Sequence, residues 1–265
     1  MASEILFSIV TPTYNRHQTI RRSIDASLAF ANLIDPSEVV IVDDASTDGT
    51  SELLSTQYAS QIQSGKLQIL TLKENKGVTG ARNAGCHAAR GKWLIFVDSD
   101  DELLSGSASL LSVFVGSHSV APLLFFRCEL EDGTLIGHAA PPGPLDLDTM
   151  VNFGTPGECL PVVQRAAIEA FPFDEDLRGW EGLAYLRIVR AYGPAILSDT
   201  VARRYGTTST NRLSTFRARA ARAKLLARGF RKLLVEFGGF MSMRRRSSAT
   251  VRIIFYYALS LLYRC

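Results

Sequence analysis

Cysteine is scarce and scattered: four residues in 265, Cys86, Cys128, Cys159 and Cys265, with no C-x-x-C pair among them. That excludes a disulfide framework and a cysteine zinc site, and it favours a reducing compartment. The four histidines are isolated as well, so no His cluster offers a metal site. No apolar run reaches the roughly 18 residues needed to cross a bilayer. Met1-Ala-Ser-Glu holds no basic residue and the run Ile5–Val10 is short for a signal peptide, which sets the expectation of a cytoplasmic chain. Gly-x-Gly-x-x-Gly is missing after the first apolar run, and Gly-x-x-x-x-Gly-Lys-Ser/Thr is missing altogether. These absences disfavour a nicotinamide dinucleotide and exclude a P-loop nucleotide. Acid is the most local scarcity. Residues 203–265 hold 15 Lys and Arg against the single acid Glu236, a net of +14, whereas residues 1–202 hold 14 against 25, a net of −11. The bland total of +3 therefore hides a basic appendage suited to an anionic partner, membrane lipid or nucleic acid.

What is present is an ordinary globular balance, 46% apolar and 21% charged, enough for a closed core and incompatible with wholesale disorder. Short apolar runs alternate with helical patterns over the first hundred residues. Leu6–Thr11, Val39–Val42, Leu67–Leu72 and Trp93–Val97 read as strands. Helices are expected over 17–34, near Thr50–Ser60 and over 79–90. Strands that are continuously apolar belong to a parallel sheet covered on both faces, so the fold class is α/β and doubly wound. Further on, the pattern predicts a helix near 106–117, strands at Pro122–Leu130 and Pro161–Arg165, and a helix over Gly182–Tyr192. Residues 133–157 are rich in Gly and Pro and read as a lid loop or an unstructured stretch.

Ligands of an open parallel sheet bind beyond the carboxyl ends of its strands. Polar residues gather at each such end: Thr11-Pro-Thr-Tyr-Asn15, Asp43-Asp44-Ala-Ser-Thr-Asp48, Glu74-Asn-Lys-Gly77 and Asp98-Ser-Asp-Asp101. Three carboxylates within four residues repel one another unless a positive charge sits among them. A divalent cation with oxygen ligands, Mg²⁺ or Mn²⁺, supplies that charge and completes its shell with substrate phosphate.

Four segments carry a resemblance: Thr11-Pro-Thr-Tyr-Asn15, Val42-Asp-Asp-Ala-Ser-Thr-Asp-Gly-Thr50, Asn75-Lys-Gly-Val-Thr-Gly-Ala-Arg-Asn-Ala-Gly85 and Phe96-Val-Asp-Ser-Asp-Asp101. In that order they resemble family-2 glycosyltransferases of the GT-A fold. Phe171-Pro-Phe-Asp-Glu-Asp-Leu-Arg-Gly-Trp-Glu181 is similar, more weakly, to the stretch that carries the family's catalytic carboxylate. The resemblance implies a nucleotide-sugar site that includes Thr11 and in which Pro12 and Tyr14 flank the nucleobase. It implies that Asp43 or Asp44 accepts the base N–H, the other capping a turn. Lys76 and Arg82 would face the ribose-diphosphate. Asp98, with Ser99, would contact the ribose and Asp100 would hold the metal, while Asp101 supports the loop or caps a helix.

The family commonly reads Glu-Asp after Gly-Trp, but this chain reads Trp180-Glu181-Gly182. An inverting transfer needs a carboxylate to take the acceptor proton, and Glu181 is the nearest, with Asp174, Glu175 and Asp176 behind it or simply solvated. A Glu181–Arg178 ion pair is the plain structural alternative. The processive synthases' Arg-Trp signature is absent, which disfavours polymerisation. The implied reaction moves a sugar to a hydroxyl of a lipid-linked glycan in surface polysaccharide assembly. The rivals are a polyprenyl-phosphate glycosyl synthase, which needs no base, and a non-catalytic nucleotide-sugar binder.

The chain divides into a catalytic part, 1–210, and a basic amphipathic helical part, 211–265. Phe216, Ala220, Ala223, Ala227, Phe230, Leu234 and Phe237 form an apolar helical stripe, with Arg and Lys around the rest of the helix. Arg244-Arg-Arg246 and the aromatic run Ile253–Tyr263 follow. That composition suits an anionic membrane surface better than nucleic acid and places the protein on the cytoplasmic face of the cell membrane.

Overall fold

The computed structural model describes residues 5–34, 36–206 and 220–262. A nine-stranded sheet forms its centre. Four parallel strands stand side by side in the order β3 (Leu67–Thr71), β2 (Ser37–Asp43), β1 (Phe7–Thr13) and β4 (Trp93–Phe96). Helices α1 (Ile20–Ala31), α2 (Thr50–Gln57), α3 (Ala59–Gln63) and α4 (Gly77–Ala88) connect them. The expected single helix at Thr50–Ser60 is therefore two, broken at Tyr58, whose hydroxyl donates to Asp25 at 2.9 Å.

The sheet continues past β4 through strands of mixed direction. These are β8 (Cys159–Gln164), β6 (Leu123–Glu129), β9 (Ala195–Arg204) and the two-residue β5 (Glu102–Leu103). Strands β6 and β9 run with the first four, while β8 and β5 run against them. Helix α5 (Ala108–Ser117) precedes β6. The Gly/Pro-rich stretch is not a structureless lid. It folds into β7 (Gly143–Leu145), paired with β9, and α6 (Leu147–Asn152), whose N-cap Asp146 accepts the Thr149 N–H at 2.8 Å. Met150 and Val151 of α6 are buried in the core.

Alternation along the strands feeds two cores, as a pleated sheet covered on both faces requires. Val10, Val40, Val42, Leu94 and Phe96 face α4, α7 (Arg165–Ala170) and α8 (Gly182–Tyr192). Phe7, Ile9, Val39, Ile41, Trp93 and Ile95 face α1, α2 and α5. Beyond the sheet stand α9 (Ala223–Phe237) and α10 (Met243–Leu262). Helix α9 packs onto the sheet, since Leu233, Phe237 and the following Met241 belong to the first core. The expected boundary at 210/211, together with Phe216, Arg217 and Arg219, lies outside the described residues, as do Tyr263 and Cys265. No described helix is long and apolar enough to cross a membrane.

Candidate nucleotide-sugar and acceptor cleft

The carboxyl ends of β1, β2 and β4 open onto one cleft of about 1080 Å³, closed opposite by the start of α8 and the end of β9. Two backbone positions at its edge are held with positive φ, Asn15 at 51° and Ala45 at 62°. Such strain persists where surrounding contacts over-determine it. Here Asn15 Oδ1 accepts the Thr47 N–H at 2.8 Å and the Asn15 N–H donates to Ser46 Oγ at 2.9 Å, stitching the two strand-end loops together.

Pro12, Tyr14, Asp44, Arg82, Asp98, Ser99, Asp100 and Glu181 all line this cleft. Thr11, Asp43 and Lys76 are not among its lining residues. Thr11 is buried in β1. Asp43 is buried and caps the following turn, its Oδ1 accepting the Ser46 N–H and hydroxyl. Asp44 faces the cleft and accepts the Lys76 N–H at 2.7 Å. Burial raises the Asp44 carboxyl above the ordinary carboxylate range, against the opposing hydrogen bonds from Lys76 and Gly77. Lys76 itself is exposed at the N-cap of α4.

Arg82 is nine-tenths buried and stacks over Phe96 and Phe173, with its guanidinium carbon 5.6 and 5.9 Å from the ring centroids. Its Nη2 donates to Asp98 Oδ1 at 2.6 Å. Burial opposes both charges, yet each outweighs it for the other. Asp98 holds Arg82 above its ordinary value, and Arg82, then Arg203 and Arg16, hold Asp98 below its own. Arg82 is thus committed to a carboxylate in this structure rather than standing free toward a diphosphate. Asp100 is 3.8 Å from Arg16.

Asp101 caps no helix. Its Oδ1 accepts the Gly206 N–H at 2.9 Å, and its Oδ2 lies 3.1 Å from Arg203 Nη1. Burial pushes this carboxyl up to about 7 despite Arg203. A Cβ on Gly206 would overlap the Asp100 carbonyl, so only glycine lets the chain just after β9 lie on the Asp98–Asp101 loop.

Glu181 is the N-cap residue of α8 and accepts the Gly179 N–H at 3.2 Å. Among the described residues no ion pair joins it to Arg178. The reserve carboxylates are engaged elsewhere. Asp174 meets Arg187 and Lys232, Glu175 accepts from Asn83 at 3.2 Å, and Asp176 meets Arg228.

Arg16, Arg178, Trp180, Arg203, Tyr205 and Arg245 also line the cleft and were not singled out as ligands by the sequence. Polar residues after the apolar start of β9 were the available signal for Arg203. Cys159 is also in the wall, and burial pushes its thiol up to about 12.

Residues 8–111 match the model of the family described as Glycosyl transferase family 2. The succinoglycan biosynthesis protein ExoO of Rhizobium meliloti (strain 1021) is 40% identical over 94 residues, covering 36% of this chain and 25% of that protein. WfaP of Escherichia coli, a UDP-Glc:alpha-D-GlcNAc-diphosphoundecaprenol beta-1,3-glucosyltransferase, is 24% identical over 267 residues, covering 96% and 93% of the two chains. The mannosyltransferase PcManGT from Pyrobaculum calidifontis, solved with GDP-Man and Mn²⁺, shares the fold with a TM-score of 0.65 at 16% identity, over 97% of this chain and 74% of that one. The chain spans 25%, 36% and 31% of the lengths of three curated relatives it matches.

Proposed function

We propose that the chain, whose residues 8–111 match the model of the family described as Glycosyl transferase family 2, moves a sugar from a nucleoside-diphosphate donor to a hydroxyl of a lipid-linked glycan, with inversion. The observation that carries this reading is the convergence of Asp44, of Asp98 with Asp100, and of Glu181 on one cleft from three separate segments. Asp44 reads the base, since it lines the cleft while Asp43 is buried behind it with Oδ1 given to its turn. Tyr14, 43% exposed at the rim, is free to stack on the base.

The donor set fits a divalent cation. Asp98 and Asp100 are hard oxygen ligands two residues apart in the cleft wall, and Mg²⁺ or Mn²⁺ commonly takes one or two carboxylates plus substrate phosphates. Among the described residues no group of three His, Cys, Asp or Glu side chains could hold a metal unaided, so the residues suit an ion that arrives with the donor. Asp100 would hold it, and there it would offset charge developing on the departing diphosphate.

Glu181 is the base. The acceptor oxygen attacks the anomeric carbon, the bond to the diphosphate breaks, and the Glu181 carboxylate takes the acceptor proton. The acceptor arrives from a membrane surface met by α10. This helix turns Ala249, Ile253, Tyr256 and Leu259 inward, and it exposes Val251, Ile254, Phe255, Leu261 and Leu262 beside Arg244, Arg246 and Arg252. An exposed apolar stripe flanked by arginines is complementary to an anionic lipid surface.

The test is transfer from a panel of nucleotide sugars to lipid-linked acceptors, with and without chelator. Glu181→Gln is expected to lower kcat by about a hundredfold or more while donor affinity stays unchanged. Full activity in that variant would instead favour an attacking phosphate, a reading that Gly182 in place of the family's usual Asp keeps in view.

A further inference from the structure

We infer that α9 is a clamp that positions Glu181, an inference that rests on Glu181 as the base. The acidic loop Asp174-Glu-Asp176 and the basic segment around α9 lie some fifty residues apart in sequence, yet they meet contact by contact. Lys232 Nζ donates to Asp174 Oδ1, and Arg187 bridges Asp174 at 2.8 Å and Glu236 at 2.7 Å. Arg228 pairs with Asp176, and Arg222 donates to the Arg178 carbonyl. The order is antiparallel, 232 to 174, 228 to 176 and 222 to 178. The acidic loop is itself held in two turns, the Leu177 N–H donating to the Asp174 carbonyl and the Trp180 N–H to the Leu177 carbonyl, both at 3.0 Å.

A steric lock completes the ladder. Gly229 lies against the indole of Trp180, where any Cβ would overlap the ring. Phe230 packs edge-on to the same ring with centroids 4.7 Å apart. Trp180 is the residue immediately before Glu181. Glu181 itself is held through its carboxylate only by the Gly179 N–H, among the described contacts. Its position is therefore inherited from the loop behind it, which three basic residues and one glycine of the C-terminal segment hold in place. Catalytic geometry tolerates little displacement, since a shift of about 1 Å can cost on the order of a hundredfold in rate. These basic residues are accordingly positioning residues, and their charge is directed at protein carboxylates and a backbone carbonyl, the Arg228–Asp176 pair standing on the exposed surface.

The experiment uses the full chain and three readouts: kcat, nucleoside-diphosphate affinity and amide exchange across 176–182. Gly229→Ala keeps a good helix former in α9 but displaces Trp180. It is expected to lower kcat about tenfold or more, to leave nucleoside-diphosphate affinity within about twofold and to speed exchange in 176–182. Arg228→Asp is expected to lower kcat about threefold, and Asp176→Arg in the same chain to restore it, as reversal of a single pair permits. Unchanged kcat and exchange in both variants would overturn the clamp, as would a fall in nucleotide affinity that matches the fall in kcat. Should Gly229→Ala fail to fold, the Arg228/Asp176 reversal still decides the question. Full activity in Glu181→Gln overturns the base assignment instead. The exchange readout keeps that failure distinct from failure of the clamp.

Discussion

Replacing Arg244, Arg246 and Arg252 together by Gln isolates the membrane surface proposed for α10 without touching the cleft. All three are exposed, whereas Arg245 between them lines the cleft and is left alone. Each arginine near an anionic leaflet contributes about 1 kcal/mol. The triple variant should then lose about 3 kcal/mol of vesicle binding, or roughly 150-fold in partition coefficient. Arg252 also stacks over Phe230 at 5.2 Å, a contact worth about 0.5–1 kcal/mol of stability at an exposed site. The assay is co-sedimentation with vesicles of about one-third anionic lipid, where screening by salt should abolish the difference between variant and wild type. Ile254→Ser with Leu261→Ser probes the apolar half, since these side chains are 64% and 81% exposed and contribute little to packing. Deleting the segment from Thr215 onward is not a substitute, because it would strip Leu233, Phe237 and Met241 from the main core. Equal sedimentation of wild type and triple variant at low salt would refute the reasoning.

Arg82→Met removes the guanidinium that pairs with Asp98 and stacks on two rings. A charge-assisted hydrogen bond and one cation–π contact come to about 3 kcal/mol. With the Asp98 side chain 39% exposed to the cleft, about 2 kcal/mol is the discounted figure. Thermal unfolding should fall by roughly 4–8 °C, and donor affinity should drop with it; an unchanged melting temperature would count against the pairing. Asp101, pushed up to about 7 by burial, keeps its proton in the folded chain over a range where the unfolded carboxyl, near about 3.9, has lost it. The folded state binds more protons in that window, so this group makes stability fall as pH rises from about 4 to about 7. Urea unfolding at pH 5 and pH 7.5 should show Asp101→Asn gaining on wild type at the higher pH, on the order of 2 kcal/mol. Parallel curves would show that Asp101 is ionised throughout.

The four parallel strands were readable because each is buried on both faces and so is written as an unbroken apolar run. Strand β9 is just as buried at Ala195 and Leu197 but ends in Asp199, Thr200, Arg203 and Arg204, and no strand pattern survives that half. The polar end stays in the sheet, paired with β6 on one side and β5 on the other, and there Arg203 lines the cleft and meets Asp101 while Arg204 pairs with Glu129. Gly193-Pro194 before Ala195-Ile-Leu197 was the turn signal that could have located it. Helix α6 had a legible N-cap in Asp146, outweighed by the Gly and Pro on either side. Arg82 shows a different limit. Its residue type marked it as functional, but only packing between Phe96 and Phe173 aims it at Asp98. The acidic loop at 174–176 looked solvated because its partners come some fifty residues later, beyond the reach of any local pattern.

The basic C-terminal segment looked uniform as a sum of charge, and the fold divides it. On α9 and its N-cap, Arg222, Arg228 and Lys232 turn toward the acidic loop; on α10, Arg244, Arg246 and Arg252 are exposed. The two helices are joined face to face through Ala223, Tyr256 and Leu259, with Tyr256 stacked on Phe230 at 6.1 Å. The surface proposed to meet lipid is thus two packing layers from the side chain proposed to take the proton, by way of Phe230 and Trp180. Confinement at a surface raises the local concentration of a lipid-borne acceptor, so the cleft need not bind the lipid tail for the acceptor hydroxyl to be presented there. Because α9 supplies core residues, the geometry of that presentation is fixed by the same packing that stabilises the sheet. On this reading, membrane placement and base placement are one mechanical property of the chain.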